Sequence, residues 1–429
     1  MFRSKLASIT LSGMFMCGAL GLPALAQADA VTDWNAITMD AVTIARPGPQ
    51  GMLDVALVHI AVHDAIQSIE RKYEPYHFQL RDAKGSRTAA AVAAARGVLV
   101  SIYPAQATAV DAKYFDYLSQ RGLTGDPGLV VGEKAAANIV TLRRATPSPA
   151  APPFVGSNEI GKWRPTESFI GTPPAPPSFS PMVTPWLGST EPFTLTSPRR
   201  FRVSPPPALD SARYWHDYEE VKQLGALHGS ARTAKQTDLA YFYNDNFFAQ
   251  WNRALRGIAE QRINKIGDSA RLFALANMAG ADALITCWDS KNAYAFWRPI
   301  TAIREGANDG NPFTVADPNW QPLVNTPNYP DYTSGANSIV AAMTRSMELF
   351  FGSDRGPLEV TSLHPLAVQK TRVYARFSHA ADDVVEARIY LGFHFRFADV
   401  AARRQGEKVA EHAFAHFLLP RDRWNRWEH

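Results

Sequence analysis

Three short stretches in the C-terminal half carry residues that could bind an oxyanion such as phosphate or vanadate. The residues are Lys291 and Arg298 in KNAYAFWRP, Ser334 and Gly335 in PDYTSGAN, and Arg388 and His394 in ARIYLGFH. Together they offer three cations, a hydroxyl, backbone amides and an imidazole, and a multiply charged oxyanion needs several such donors around its oxygens. The imidazole of His394 could then ligate vanadium or attack phosphorus at the centre of the anion.

The first stretch lies at the end of a predicted helix. The run from Arg271 to Arg298 has no proline and is rich in alanine, leucine and methionine, which is typical of a helix. Lys291 and Arg298 are seven residues apart, close to two helical turns, so we expect both side chains on one stripe of this helix. Pro299 disfavours α geometry at Arg298, and the helix should therefore end or bend there.

The second stretch reads as the start of another helix. Thr333 or Ser334 is a good N-cap, and apolar residues recur at helical spacing from Ile339 to Phe351. Free amides at the start of a helix, at the positive end of its dipole, bind anions readily. Gly335 would let a ligand approach the backbone closely.

The third stretch puts an arginine on an apolar helix face. Arg388 falls four residues after Val384, on the face that also carries Val385. A buried guanidinium needs an anionic partner. Gly392 interrupts the helical pattern and could turn His394 toward the same point.

Each stretch also has a purely structural interpretation. A lysine and an arginine seven apart often lie on the solvated face of a helix, and a Ser-Gly pair is often only a cap. Arg388 could pair with Asp382 or Asp383, and His394 could be a packed core residue. The order and spacings of the three stretches together are more specific than any one of them.

The three stretches resemble the signature of the vanadium-dependent haloperoxidase and type-2 phosphatidic acid phosphatase superfamily. That signature is Lys, six residues, Arg-Pro, then Pro-Ser-Gly-His, then Ser-Arg, five residues, His. The Lys291 and Arg388 spacings are present in full. FRVSPPPAL, the helix around Leu284 and FRFADVAARRQGEKVA are similar to the bacterial haloperoxidase-like branch, and the resemblance runs from Asp33 to the C-terminus.

The resemblance implies a role for each motif residue. The three cations would hold the equatorial oxygens of vanadate or phosphate, and Ser334 and the Gly335 amide would add hydrogen bonds. His394 would be the axial ligand of vanadium, or the covalent nucleophile toward a phosphoester. Vanadate is the implied cofactor, with phosphate as a competing ligand, and the implied substrates are hydrogen peroxide and a halide, or a small phosphoester.

One position departs from the family pattern. The second motif of the family ends in an acid–base histidine, and this chain has Ala336 followed by Asn337. General acid–base groups typically contribute about 10²–10⁴-fold to rate. Asn337 can donate a hydrogen bond but does not relay a proton well, so activity should be weakened. Thr333 and Ala387 replace the Pro and Ser of the family, which are milder changes.

Three functions are compatible with this pattern. The first is a vanadate-dependent peroxidase of the haloperoxidase type. The long N-terminal half and the similar segments that flank the motifs favour it. The second is a secreted acid phosphatase that forms a phosphohistidine at His394, and good leaving groups would make Ala336 least harmful there. The third is a non-catalytic oxyanion binder that keeps the cations and has lost the proton relay.

Composition narrows the choice of partners. The chain has 429 residues, of which 46% are hydrophobic and 20% charged, a normal globular balance. Its net charge is +4, and without Arg3 and Lys5 it has 42 basic residues against 40 acidic ones. With no long basic run, nucleic-acid binding is not indicated. Of its two cysteines, Cys17 lies in the N-terminal leader, so the mature chain can form no internal disulfide.

The N-terminus predicts a secretory signal over residues 1–26. Arg3 and Lys5 form its charged start, an apolar stretch follows, and Ala24-Leu25-Ala26 is a small-residue cleavage site. No later segment is expected to be long and apolar enough to span a bilayer, so stable membrane insertion is not indicated. We therefore expect a secreted or periplasmic protein.

The predicted fold is mainly α. Of the 31 prolines, 16 lie between Pro147 and Pro207, and the sequence on either side of this segment is typical of helices. We expect an N-terminal helical region at 27–145, a Pro-rich wrapping segment at 146–210 and a C-terminal helical bundle with the oxyanion site at 211–429. The resemblance implies two four-helix bundles. The oligomeric state stays open.

Overall fold

The computed structural model describes residues 29–144, 154–167 and 181–421. The predicted signal at 1–26 and parts of the Pro-rich segment lie outside these residues. The described residues form a mainly α protein, as predicted, with thirteen α-helices and one β-hairpin.

The helices that precede the first motif are α1 (Ala30–Ala45), α2 (Gly51–Glu70), α3 (Arg87–Ile102), α4 (Ala107–Gln120), α5 (Gly128–Arg144), α6 (Ala212–Leu224), α7 (Ala234–Phe242) and α8 (Phe247–Arg262), followed by α9 (Ile266–Tyr294), which carries Lys291. The later helices are α10 (Pro299–Arg304), α11 (Gly335–Phe351), α12 (Phe377–Tyr390) and α13 (Arg396–His416). The two strands are β1 (Arg355–Thr361) and β2 (Thr371–Arg376), which pair antiparallel between α11 and α12.

Helix α2 forms the centre of the N-terminal half. It packs against α3, α5 and α9, and most of its side chains are buried. Its length and composition would allow it to span a membrane, so the expectation that no segment after the signal has this character is wrong. Within its most apolar window 83% of residues are buried inside the protein, as in an ordinary core helix.

Helix α9 joins the two halves and leads into the first motif. It packs against α2 on one side and against α11 and α13 on the other. Helices α11 and α13 approach so closely that a Cβ at Gly406 would lie 2.2 Å from the Ser338 carbonyl oxygen. This packing brings the end of α9, the start of α11 and the start of α13 together.

The described parts of the Pro-rich segment lie against the end of α9. The Trp163 amide donates to the Ala295 carbonyl at 2.6 Å, and Trp163 is buried. The indole of Trp288 donates to the Val183 carbonyl at 3.3 Å. These contacts cover the α9 terminus that carries the first motif.

Candidate active site

The first motif is split between two helices. Helix α9 ends at Tyr294, Ala295 takes a left-handed conformation with φ of 47°, and Arg298 is the extended N-cap of α10. The prediction that Lys291 and Arg298 share a stripe of one helix is therefore wrong. The bias of Pro299 against α geometry at Arg298 is present, but the chain leaves the helix before reaching it.

Lys291 is completely buried and is tied to the second motif. Its Nζ donates to the carbonyl oxygens of Pro330, at 2.5 Å, and Asp331, at 3.1 Å. It also lies 4.8 Å from the centre of the Tyr329 ring, within range of a cation–π contact. Burial, chiefly, lowers the pKa of Lys291 to about 7.

Arg298 links all three motifs. Its Nε donates to the Tyr329 carbonyl at 2.7 Å, and its Nη1 donates to the Phe393 carbonyl at 2.9 Å. Its side chain is fully buried, yet Nη2 has no hydrogen-bond partner among the described residues. A buried guanidinium nitrogen without an acceptor is costly, so Nη2 is available to an anion.

Ser334 is the N-cap of α11, as predicted, and is fully buried. The Ser334 side chain makes no capping hydrogen bond to this helix, which leaves first-turn amides open to another acceptor. A Cβ at Gly335 would lie 3.1 Å from the Trp288 ring, so the glycine also permits close packing against α9.

Arg388 lies on the buried face of α12, as predicted from its spacing to Val384. It is 3% exposed, and its Nε and Nη1 have no hydrogen-bond partner among the described residues. Its guanidinium lies 4.5 Å from the centre of the Phe393 ring and 5.0 Å from that of Phe247. Burial lowers its pKa to about 10, which still leaves it charged at neutral pH.

The alternative partners of Arg388 are engaged elsewhere. Asp382 pairs with Arg403, and Asp383 accepts a hydrogen bond from the Tyr374 hydroxyl at 2.7 Å. The structural interpretation of Arg388 as half of an ion pair with either residue is therefore wrong. Nε and Nη1 of Arg388 are therefore buried donors that an anion could occupy.

His394 lies at the meeting point of the motifs. Its Nδ1 is 2.7 Å from Oδ1 of Asp331, and its Nε2 is 3.1 Å from Nη1 of Arg298. Burial and the charges of the three cations hold the pKa of His394 well below its usual range. A guanidinium can only donate, so the neutral ring accepts from Arg298 at Nε2 and carries its proton on Nδ1, toward Asp331.

The same charges show that the motif cations lie near one imidazole. Lys291, Arg298 and Arg388 each lower the pKa of His394 by repulsion, which places all three within electrostatic reach of the imidazole. Arg298 and Asp331 contact His394 directly, and Lys291 bonds to the Asp331 carbonyl. That the motif residues form one functional site stays a prediction.

Two buried carboxylates of the site were missed by sequence reasoning. Asp331 and Asp399 are both fully buried, and each has one oxygen without a hydrogen-bond partner among the described residues. Burial raises the pKa of Asp331 to about 7 and that of Asp399 well above its usual range. Their signals were slight: Asp331 precedes Ser334 by three residues, and Asp399 follows His394 by five.

Position 336 carries only a methyl group, where the family pattern has a histidine. Ala336 is 7% exposed and lies in the first turn of α11. The neighbouring Asn337 donates from Nδ2 to Oδ1 of Asp399 at 2.8 Å and to Oγ of Ser334 at 3.4 Å. Asn337 therefore donates hydrogen bonds, as expected, and ties α11 to α13.

Gly392 turns the chain between Arg388 and His394, and its replacement should disturb both. Its φ is +78°, and a Cβ there would lie 2.7 Å from the Gly225 carbonyl oxygen and 2.8 Å from the Pro322 Cβ. We expect Gly392→Ala to lower the free energy of unfolding by about 2–4 kcal/mol, because backbone strain and a backbone clash add. Chemical denaturation measures this change.

Gly352→Ala is the matched control for that prediction. Gly352 also has a positive φ, +68°, but a Cβ there meets nothing within 4 Å. Its replacement should cost only about 1–2 kcal/mol, the conformational part. Equal losses in the two variants would show that the contact with Gly225 does not constrain the turn.

The site fits a bound oxyanion better than an empty cluster of charges. Three guanidinium nitrogens, Nη2 of Arg298 and Nε and Nη1 of Arg388, are buried donors without acceptors among the described residues. Lys291 and the uncapped start of α11 add further positive potential. Vanadate or phosphate would supply the oxygens that these donors require.

Comparisons with known proteins find similar sequences and similar folds. Residues 271–421 match the family model of the VCPO second helical-bundle domain. The vanadium chloroperoxidase of Curvularia inaequalis is 24% identical over 287 residues, which cover 51% of this chain and 46% of that protein. The match thus spans about half the length of this curated relative.

Solved structures share the fold over nearly the whole chain. A bacterial vanadium-dependent iodoperoxidase superposes with a TM-score of 0.75 at 21% identity, covering 91% of this chain and 98% of that one. The apo and holo forms of a bacterial vanadium-dependent chloroperoxidase superpose with a TM-score of 0.70 at 17% identity, covering 92% of this chain and 95% and 93% of theirs. Residues 271–421 thus match the VCPO second helical-bundle domain, and the fold over nearly the whole chain is that of bacterial vanadium-dependent haloperoxidases.

Proposed function

We propose that this protein is a vanadium-dependent haloperoxidase, which binds vanadate at His394 and uses hydrogen peroxide to oxidise a halide. The observation that carries the proposal is the set of buried guanidinium nitrogens on Arg298 and Arg388 that have no acceptor among the described residues. Three buried cations near one imidazole need an anionic partner, and a permanently bound anionic cofactor would supply it. The peroxidase names of the similar proteins support the reaction class.

The residues of the chain divide the work of the site. When bound, vanadate supplies a Lewis-acid centre that activates peroxide. The three cations neutralise the charge on its oxygens, and Ser334 and the Gly335 amide donate hydrogen bonds to them. His394 would offer its Nε2 lone pair to vanadium, and Asp331 fixes the ring orientation through Nδ1, at 2.7 Å.

A phosphatase is the second candidate because the same imidazole is suited to nucleophilic attack. A neutral His394 with a free Nε2 lone pair could attack phosphorus and form a phosphohistidine, while the cations hold the phosphate oxygens. Ala336 has no proton for the leaving group, which favours phosphoesters whose leaving groups need little acid assistance. Phosphate would then compete with vanadate for one site.

A paired assay on the purified protein tests the proposal. One arm adds vanadate, bromide and peroxide and follows bromination of a reporter, and the other omits vanadate and follows hydrolysis of an aryl phosphate. Lys291→Ala and His394→Ala are the site variants, and Lys408→Ala, at an exposed lysine of α13, is the matched control. Calorimetry measures vanadate binding to each protein in parallel.

The outcomes separate the candidate functions. Bromination that requires vanadate and His394 supports the peroxidase. Hydrolysis that requires His394 and is inhibited by vanadate replaces it with the phosphatase. Vanadate binding without either activity contradicts both and leaves a non-catalytic oxyanion binder.

Oxyanion affinity should fall as pH rises through neutrality. With a pKa of about 7, Lys291 is charged below that pH and neutral above it, so the cradle loses one cation on the alkaline side. A bound anion favours the charged form, and binding above pH 7 must therefore take up a proton. We expect the affinity for molybdate, which does not titrate in this range, to fall by up to about tenfold per pH unit above about pH 7.

Calorimetric titrations from about pH 6 to about pH 9 measure this dependence. Lys291→Met should bind molybdate weakly and with a flatter pH profile, whereas Lys408→Met should follow the wild type. A wild-type affinity that is constant across the range would mean that Lys291 keeps its charge throughout.

A further inference from the structure

Asp399 is a buried carboxylate to which the proposed function assigns no role. It lies in the first turn of α13 and is fully buried. Its Oδ1 accepts from Asn337, while its Oδ2 has no hydrogen-bond partner among the described residues. A buried carboxylate oxygen without a donor is costly, and such a group is better buried in its protonated form.

The position of Asp399 is as informative as its burial. Asn337 contacts both the Asp399 carboxyl, at 2.8 Å, and the Ser334 hydroxyl, at 3.4 Å, so it holds the two beside each other. Hydrogen bonding from Ser334 also acts on the Asp399 carboxyl. Ser334 and Asn337 flank position 336 at the start of α11, where the family pattern has its acid–base histidine and this chain has a methyl group, and Asp399 is hydrogen-bonded to Asn337.

The surrounding charges allow Asp399 to exchange a proton. Burial and the negative charge of Asp331 raise its pKa, while Arg388 on α12 and the hydrogen bonds from Ser334 and Asn337 lower it in part. The negative charge of Asp399 also acts to raise the pKa of Lys291 and of Arg298, against the lowering that burial causes. Burial is the strongest of these influences, so the carboxyl holds its proton more tightly than an exposed aspartate, while Arg388, Ser334 and Asn337 favour its ionised form.

A structural role as an ion-pair partner fits Asp399 less well. Among the described residues, Nε and Nη1 of Arg388 have no hydrogen-bond partner, and neither has Oδ2 of Asp399. If Asp399 served to neutralise Arg388, these atoms would bond to each other. The two groups instead stay apart with their bonding capacity unused.

We infer that Asp399 holds the proton for the reaction and delivers it through the Ser334 hydroxyl, in place of the histidine that the family has at position 336. The inference rests on the proposed function, since it concerns the same oxyanion site. Ser334 gives its hydroxyl proton to a substrate oxygen and receives the Asp399 proton at Oγ. Asp399 becomes a carboxylate, stabilised by Asn337 and Arg388, and the reverse transfer restores it. Asp399 acts through another group and is therefore a positioning residue.

Asp399→Asn tests the inference, because the amide keeps the shape of the carboxyl and cannot exchange the proton. We expect kcat to fall by about 10–100-fold with a smaller change in KM for peroxide, and the pH dependence of kcat to lose one limb. Adding Ala336→His to Asp399→Asn should recover at least about tenfold in kcat, because the histidine supplies a new acid–base group. Asp382→Asn, at an exposed carboxylate of α12, is the control.

A binding measurement tests the same point without turnover. Calorimetry of vanadate binding in buffers of different ionisation enthalpy counts the protons exchanged on binding. Asp399→Asn should still bind vanadate but should exchange a different number of protons from the wild type. If the wild type binds vanadate and shows no activity, the proposed function fails, and this proton count still decides the role of Asp399.

Two results would overturn the inference. One is an Asp399→Asn variant with wild-type kcat, pH profile and proton count. The other is a loss of kcat that Ala336→His does not relieve, which would point to a structural defect. Should Asp399→Asn fold poorly, Ser334→Ala interrupts the same relay, and its pH profile of kcat should lose the same limb.

Discussion

His394→Ala is expected to reduce vanadate-dependent bromide oxidation, or phosphoester hydrolysis, by about 10³-fold or more. His394 offers a neutral imidazole in the described site, and its Nε2 lies 3.1 Å from Nη1 of Arg298, one of the three motif cations. Alanine leaves those cations in place but removes the atom that joins vanadium or phosphorus to the chain. Steady-state bromination with excess vanadate measures the loss.

Oxyanion binding should survive this substitution in weakened form. The donors on Arg298, Arg388 and Lys291 do not depend on the imidazole, so calorimetry should still detect vanadate or phosphate at higher concentration. His416→Ala is the control, because His416 is an exposed histidine at the end of α13. Full activity in His394→Ala would show that the chemistry takes place at another group.

The parts of this site that sequence could predict are those with a local signal. The burial of Arg388 followed from its spacing to Val384 on one helix, and the cap at Ser334 followed from the loop-to-helix transition. In both cases the sequence pattern and the structural feature that it predicts lie within a few residues of each other. Spacing within a single element is therefore informative about which side chains reach the site.

The first motif shows where this reasoning fails. The spacing of Lys291 and Arg298 fits two helical turns, but α9 ends at Tyr294 and the two residues reach the site from different elements. The helix ends because the chain reverses at Ala295 and is held there by hydrogen bonds to the Pro-rich segment, such as that from Trp163. Such a tertiary contact leaves no trace in helical periodicity.

The buried carboxylates have only a slight local signal. Asp331 meets His394 across 63 residues, and Asp399 meets Asn337 across 62. Each pair forms only because the start of α11 meets the start of α13 and the segment just before it, and a carboxylate in a loop or a first helical turn is usually solvated. Only the folded chain distinguishes these two from the many exposed aspartates.

Asp331→Ala is expected to lower activity by about 10²-fold, the second large effect. Asp331 accepts from Nδ1 of His394 at 2.7 Å, and this bond keeps the proton on Nδ1 and the lone pair on Nε2. Without it, the ring can turn or take the other tautomer, and Arg298, whose Nη1 lies 3.7 Å from Oδ1 of Asp331, loses a counter-charge. Asp331→Asn, which keeps a carbonyl oxygen for Nδ1, should lose less.

Asp282→Ala separates this effect from a loss of stability. Asp282 is equally buried, on α9, and accepts hydrogen bonds from the amides of Phe193 and Thr194 at 2.6 Å. Both alanine variants should be less stable, but only Asp331→Ala should change the nitrogen NMR shifts of the His394 imidazole toward the other tautomer. If those shifts stay as in the wild type while activity falls, Asp331 serves the cations and not the imidazole.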